Sequence, residues 1–189
     1  ELNKIDLSLS YYQFGPVIGH FNLSNDFVIE LSNRGSLTTK DNRKNLAGHI
    51  DKENSFSKDD KLWFISNTSN IFDTYLKLLI ERCLVSKEKP KSLRLDSLWI
   101  NFMKKGEFNP PHFHDSDLSF VIYTSVPSEI SVENRDFQGR GTGPGTINFF
   151  YGEHTTNYRT EMNFVPSTGN MFLFPASLRH FVPPFKSDV

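Results

Sequence analysis

Cysteine is nearly absent: Cys83 is the only one in 189 residues. An intramolecular disulfide and a Cys-based zinc site are therefore excluded, and nothing asks for an oxidising compartment. No apolar run approaches the roughly 20 residues that cross a bilayer, and no signal peptide is visible, so a soluble cytoplasmic protein is the expectation. Net charge is scarce as well. A formal balance of −1, from 21 Lys and Arg against 22 Asp and Glu, gives no global attraction to nucleic acid or an anionic membrane, so a charged ligand needs a local site. The length suits one substantial core, and the chain reads as a single domain over 1–189. Phe, by contrast, is abundant at 18 residues, and with short runs of Leu, Val and Ile it suits sheets packed face to face around an aromatic core.

Residues 2–21 are short apolar pieces broken by Gly15, Pro16 and Gly19, an opening strand followed by turns. His20 sits among apolar neighbours, where a lone His is usually structural. Ser24, Asn25 and Asp26 offer caps for a short helix with Phe27, Val28 and Leu31 on one face, closed at Asn33-Arg34-Gly35. Residues 41–60 are polar and of mixed charge. They read as a solvated loop, with the alternative that the basic cluster beside Gly48 and His49 rims a substrate site. The clearest helical signal spans 61–83: Ile71, Phe72, Tyr75, Leu76, Leu79 and Cys83 recur at three and four, a face that would cover one sheet and pack the Cys83 thiol.

Past a charged turn at 87–91 the period becomes that of strands, over 93–98 and then 99–103. Residues 118–126 read as a buried strand ended by Pro127. The stretch 128–167 reads as a long polar insertion. Its centre, Gly139-Arg140-Gly141-Thr142-Gly143-Pro144-Gly145, lacks the Lys-Ser/Thr ending of a phosphate loop, and Pro144 removes a donor that a phosphate nest uses, so a mobile tip or lid is expected. On its flanks, 146–151 and 158–164 pair as a hairpin with Gly152 and Glu153 in the turn and His154 exposed there.

The chemistry concentrates at His112-Phe113-His114. In an extended segment this spacing puts both imidazoles on one face, within reach of one ion. Asn109-Pro110-Pro111 stiffens the approach, because each Pro restricts its own torsion and that of the residue before it. A third imidazole, His180, follows a tight turn at 166–170 and the aromatic strand Met171-Phe172-Leu173-Phe174, and only the fold could return it to the first two. Two His from one strand and one from a distant strand leave half of an octahedral sphere open. Non-haem iron oxygenases use that vacancy, commonly with two His and one carboxylate. A His-x-His pair also occurs on surface strands without metal, and the prolines and the second motif argue against that reading here.

These residues resemble the iron(II)- and 2-oxoglutarate-dependent oxygenases, specifically the prolyl 4-hydroxylase-like branch and its phage-encoded members. The family's strand, Gly turn, Pro, His-x-Asp, small polar residue and strand ending in Tyr are matched by 99–102, Gly106, Pro111, His112-Phe113-His114, Ser119 and Tyr123. Its later Pro, Gly, aromatic strand ending Phe-Pro, and His are matched by Pro166, Gly169, Phe172-Leu173-Phe174-Pro175 and His180. The resemblance covers residue 93 onward and, less specifically, 42–56 and 70–83. Two departures stand out. His114 replaces the usual carboxylate, giving three imidazoles unless Asp115 or Asp117 swings in. The family's basic partner for 2-oxoglutarate has no plain match: Lys186 is separated from His180 by Pro183-Pro184, and Arg135, Arg140, Arg159 or a residue past Val189 are the alternatives.

The resemblance implies a mainly β fold, a double-stranded β-helix or jelly roll, with amino-terminal helices packed on one sheet. Residues 1–90 would form the helical and strand part, and 91–189 the metal-binding core with 128–167 as substrate lid. It implies His112, His114 and His180 as catalytic iron(II) ligands, and Tyr123, Asn101 and Lys186 as the residues toward 2-oxoglutarate, with Phe102 beside them. Dioxygen is the other co-substrate, and the reaction is hydroxylation of an unactivated C–H bond as 2-oxoglutarate becomes succinate. The primary substrate, whether a protein residue, a nucleobase or a metabolite, and the oligomeric state are left open, and a phage-encoded protein would work in the host cytoplasm. Two other readings fit the same residues: a cupin-like metal-binding jelly roll that does not use 2-oxoglutarate, and a structural virion β-domain with an incidental His pair.

Overall fold

Met171, Phe172, Leu173 and Phe174 are all fully buried, and the two faces of their strand meet different partners. The computed structural model describes residues 15–82, 93–153 and 159–188. Its elements are β1 (Gly19–Asn22), α1 (Asn25–Ser36), β2 (Lys40–Asp41), β3 (Glu53–Ser55), α2 (Lys58–Glu81), β4 (Trp99–Asn101), β5 (Asn109–His112), β6 (Leu118–Ile122), α3 (Ser128–Arg135), β7 (Ile147–Phe150), β8 (Glu161–Phe164), β9 (Asn170–Pro175) and β10 (Arg179–Val182). They form three sheets, ordered β1-β9-β6, β5-β10-β7-β8 and β2-β3-β4, and every strand pairing is antiparallel. The chain is mainly β with few helices, and this architecture is compatible with a β-sandwich or jelly roll.

Alternation along β9 builds the layers. Met171 and Leu173 face α2, where Tyr75 and Leu79 of its apolar stripe cover them. Phe172 and Phe174 face the other way and pack with Ile147 and Phe149 from the four-stranded sheet and with Leu178 from the turn before β10. Each of these fully buried aromatic side chains contributes about 2–3 kcal/mol through removal of apolar area from water. The third sheet leans on α1 and α2: Ile100 of β4 joins Leu31, Phe56, Phe64 and Leu98, while Trp99 and Asn101 take the opposite face. α2 starts where Ser57 and Asp60 form a reciprocal capping box, one turn earlier than its apolar repeat suggests.

Several expectations are corrected. Residues 41–60 are not a plain loop, because β3 pairs with both neighbours and Glu53 and Asn54 are buried in it. The strand expected over 93–98 is irregular, and β4 is confined to the first three residues of the stretch 99–103. β6 ends at Ile122 and is only partly buried. The polar insertion expected over 128–167 carries regular structure for much of its length. Residues 128–135 are the helix α3, docked by Ile130, and β7 is an inner strand whose Ile147 and Phe149 sit in the core. The link between them turns at Gly145, whose positive φ and close approach to Ile130 leave no room for a side chain. β7 and β8 do pair as the expected hairpin, with Ile147 opposite Phe164. The expectations for Cys83, His154 and Tyr158 fall outside the described residues.

Candidate metal centre

β10 lies between β5 and β7, so its side chains meet both neighbours on one face. His180 stands opposite His112 on one side and Phe149 on the other. The tight turn between β9 and β10 then captures the third imidazole: the His114 N–H donates to Ala176 C=O at 2.9 Å, and the Ala176 N–H donates to Asp117 C=O at 3.1 Å. Ring centroids are 4.2 Å apart for His112 and His180, 5.0 Å for His112 and His114, and 5.2 Å for His114 and His180. One nitrogen from each ring lies within 4.8 Å of the others.

Backbone carbonyls set the tautomers. His112 Nδ1 is 2.8 Å from Pro110 C=O, and His180 Nδ1 is 2.9 Å from Leu178 C=O. A carbonyl only accepts, so in both rings Nδ1 carries the proton and Nε2 keeps a lone pair free for a cation. Burial also disfavours the charged form of His180 and His114. His180, 3% exposed, is pushed down to about 4, chiefly by desolvation and further by the like charges of His112 and His114, against the pull of Leu178 C=O. His114 is lowered for the same first reason and by His112, with Asp115 opposing.

Aromatic side chains line the site. Phe174 and Phe149 lie 4.8 and 6.1 Å from the His180 ring, and Trp99 lies 5.7 Å from His114. Tyr123, just past β6, packs edge-on against Phe172; its hydroxyl is buried without a partner, and burial raises its pKa. Asn101 Oδ1, on the face of β4 shared with Trp99, is likewise buried and unpartnered. Three uncharged nitrogen donors suit a borderline divalent ion such as iron(II), and the orphaned Tyr123 hydroxyl is a donor of the kind that a ligand offering acceptor oxygens would satisfy.

Of the expected site residues, the fold brings His112, His114 and His180 together. Asp115 and Asp117 are exposed and lie outside the three-histidine group. Lys186 is exposed, and its backbone N–H is held 2.9 Å from Glu133 on α3. Arg135 is engaged at the surface by Asp136, and Arg140 and Arg159 are exposed. Sequence reasoning named Trp99 only as a strand residue and overlooked Glu53. The alternation of Asn54 and Phe56 against Glu53 and Ser55 was the available signal for a strand there, hidden by its polarity.

Residues 97–189 match the family model described as "Putative 2OG-Fe(II) oxygenase". The match takes in all three histidines, together with Trp99, Asn101 and Tyr123. No curated protein matches the chain. The matched family implies Fe(II) as cofactor and 2-oxoglutarate and O2 as co-substrates, and the triad is a possible iron site. Among the described residues no helix is long and apolar enough to cross a membrane.

Proposed function

We propose that this protein is an iron(II)- and 2-oxoglutarate-dependent dioxygenase that hydroxylates its substrate, akin to the prolyl 4-hydroxylase-like branch, on a double-stranded β-helix. The observation that carries the reading is the convergence of His112, His114 and His180 within 4.8 Å, two of them locked by backbone carbonyls with Nε2 free. Iron(II) with 2-oxoglutarate would supply the dioxygen activation that converts a substrate C–H bond to C–OH while 2-oxoglutarate becomes succinate and carbon dioxide. The chain's own residues hold and surround that chemistry. His112, His114 and His180 donate three neutral nitrogens, which leave the ion's charge undiminished and favour an anionic chelator more than a carboxylate-containing set would. The Tyr123 hydroxyl, kept protonated by burial, would donate to a 2-oxoglutarate oxygen, and the Asn101 amide N–H would donate beside it. Phe149 and Phe174 keep bulk water from the His180 ring, and Trp99 borders His114 at the open side.

Succinate formation by the iron-loaded protein, with 2-oxoglutarate and oxygen, tests this reading. Stoichiometric succinate that disappears in His112→Ala supports it; metal-loaded protein that never consumes 2-oxoglutarate rejects it. A second reading, a cupin-like metal protein without 2-oxoglutarate, draws on the carboxylate-free donor set and predicts that latter result.

A further inference from the structure

Glu53 is a carboxyl side chain only 2% exposed, in the middle strand of the β2-β3-β4 sheet. Across the antiparallel ladder it stands opposite Asn101. The flanking bonds, Phe102 N–H to Lys52 C=O and Phe56 N–H to Leu98 C=O, both 3.0 Å, mark the hydrogen-bonded pairs of this ladder. Glu53 and Asn101 are therefore a non-hydrogen-bonded pair, with Cα atoms about 4.5 Å apart and side chains meeting on one face. On that face Trp99 reaches His114.

The hydrogen bonds on this face run in one direction. Asn45 Nδ2 and Ser55 Oγ both donate to Asn42 Oδ1, at 2.9 and 3.0 Å. That fixes the Asn42 amide, whose Nδ2 donates to Glu53 Oε1 at 2.6 Å. Across the ladder, Asn101 Oδ1 is a buried acceptor with no donor, and Glu53 is the side chain that faces it. An unpaired buried acceptor is costly, and a proton on the Glu53 carboxyl supplies the donor it lacks.

We propose that Glu53 is protonated at neutral pH and donates to Asn101 Oδ1, acting as a positioning residue that turns Asn101 Nδ2 toward the co-substrate. This rests on the reading of the site as a 2-oxoglutarate site. The co-substrate is a dianion that offers only acceptors, so Asn101 helps to bind it only with Nδ2 presented. Glu53 supplies the constraint that selects that rotamer. Its surroundings favour the neutral acid: burial raises its pKa, the Asn42 bond opposes this, and Asp41, the charged neighbour that acts on it, raises it further.

The test uses the whole chain in two measurements. Infrared spectroscopy of wild type at neutral pH should show a protonated carboxyl band that Glu53→Gln removes. Anaerobic 2-oxoglutarate titration of the iron(II)-loaded protein, followed by its visible charge-transfer band, should give equal affinity for wild type and Glu53→Gln, because the Gln amide donates as the acid did. Glu53→Ala and Asn101→Ala should each weaken 2-oxoglutarate about 10-fold, the double variant no more than either, and iron affinity should stay constant throughout. No carboxyl band in wild type, wild-type affinity in Glu53→Ala, or multiplying effects in the double variant overturn the inference while the oxygenase reading stands. Wild type that binds iron but no 2-oxoglutarate overturns both.

Discussion

His180 stands directly opposite His112 across the β5 and β10 ladder, with ring centroids 4.2 Å apart, closer than either is to His114. Two of the three donors are thus spaced by a backbone ladder, and the third is held by a single N–H on the turn at Ala176. Removing a ladder donor should cost the most. His112→Ala and His180→Ala are expected to lower iron(II) affinity by roughly 100-fold or more while circular dichroism stays native, as equilibrium metal binding will show.

Asp115 and Asp117 give the opposite expectation. Both are exposed beside the triad, so Asp115→Ala and Asp117→Ala should leave metal affinity within about 3-fold of wild type, the scale on which exposed charges act. A loss comparable to that of His180→Ala would mean that a carboxylate, not His114, completes the set.

The metal-free protein should lose stability in acid through His180. Its folded pKa is near 4 and that of an unfolded histidine about 6.5, so below pH 6.5 the unfolded chain binds a proton that the folded chain refuses. Stability is therefore intact above about 6.5, falls as pH drops toward 4, and loses at most roughly 3 kcal/mol from this group. Glu53 acts with the opposite sign above the ordinary Glu range, because its pKa is raised. Urea denaturation of wild type and His180→Gln across pH 4 to 7 isolates the term: the difference between the two should shrink as pH falls.

Phe174 joins core and site, being fully buried and 4.8 Å from the His180 ring. Phe174→Ala should destabilise the fold by about 3–5 kcal/mol and weaken metal binding as well. Ser57→Ala is the control. It breaks the capping box of α2, far from the triad in the chain, and should cost about 1 kcal/mol with metal affinity unchanged. Denaturation curves paired with metal titrations separate the two.

What could be read from the sequence followed the strength of local patterning. α1 and α2 announce themselves by apolar spacing and caps, and β9 by its apolar run between a Gly turn and Pro175. The three histidines were legible because their i, i+2 spacing and the aromatic strand before His180 are local signals of a shared face. β3 was not legible, since it buries Glu53 and Asn54 and its strand character comes from pairing on both sides, not from apolar residues. α3 was masked by its polarity, with Ile130 its only buried side chain, and the glycine run after it suggested mobility where β7 is an inner strand. The place of Trp99 against His114 is a tertiary fact that no spacing encodes.

X-ray absorption spectroscopy of the iron(II)-loaded protein tests the central claim most directly. The account predicts one iron per chain with three imidazole nitrogens at roughly 2.1 Å, falling to two in His180→Ala. An iron environment of oxygen donors without imidazole scattering, unchanged by that substitution, would contradict it.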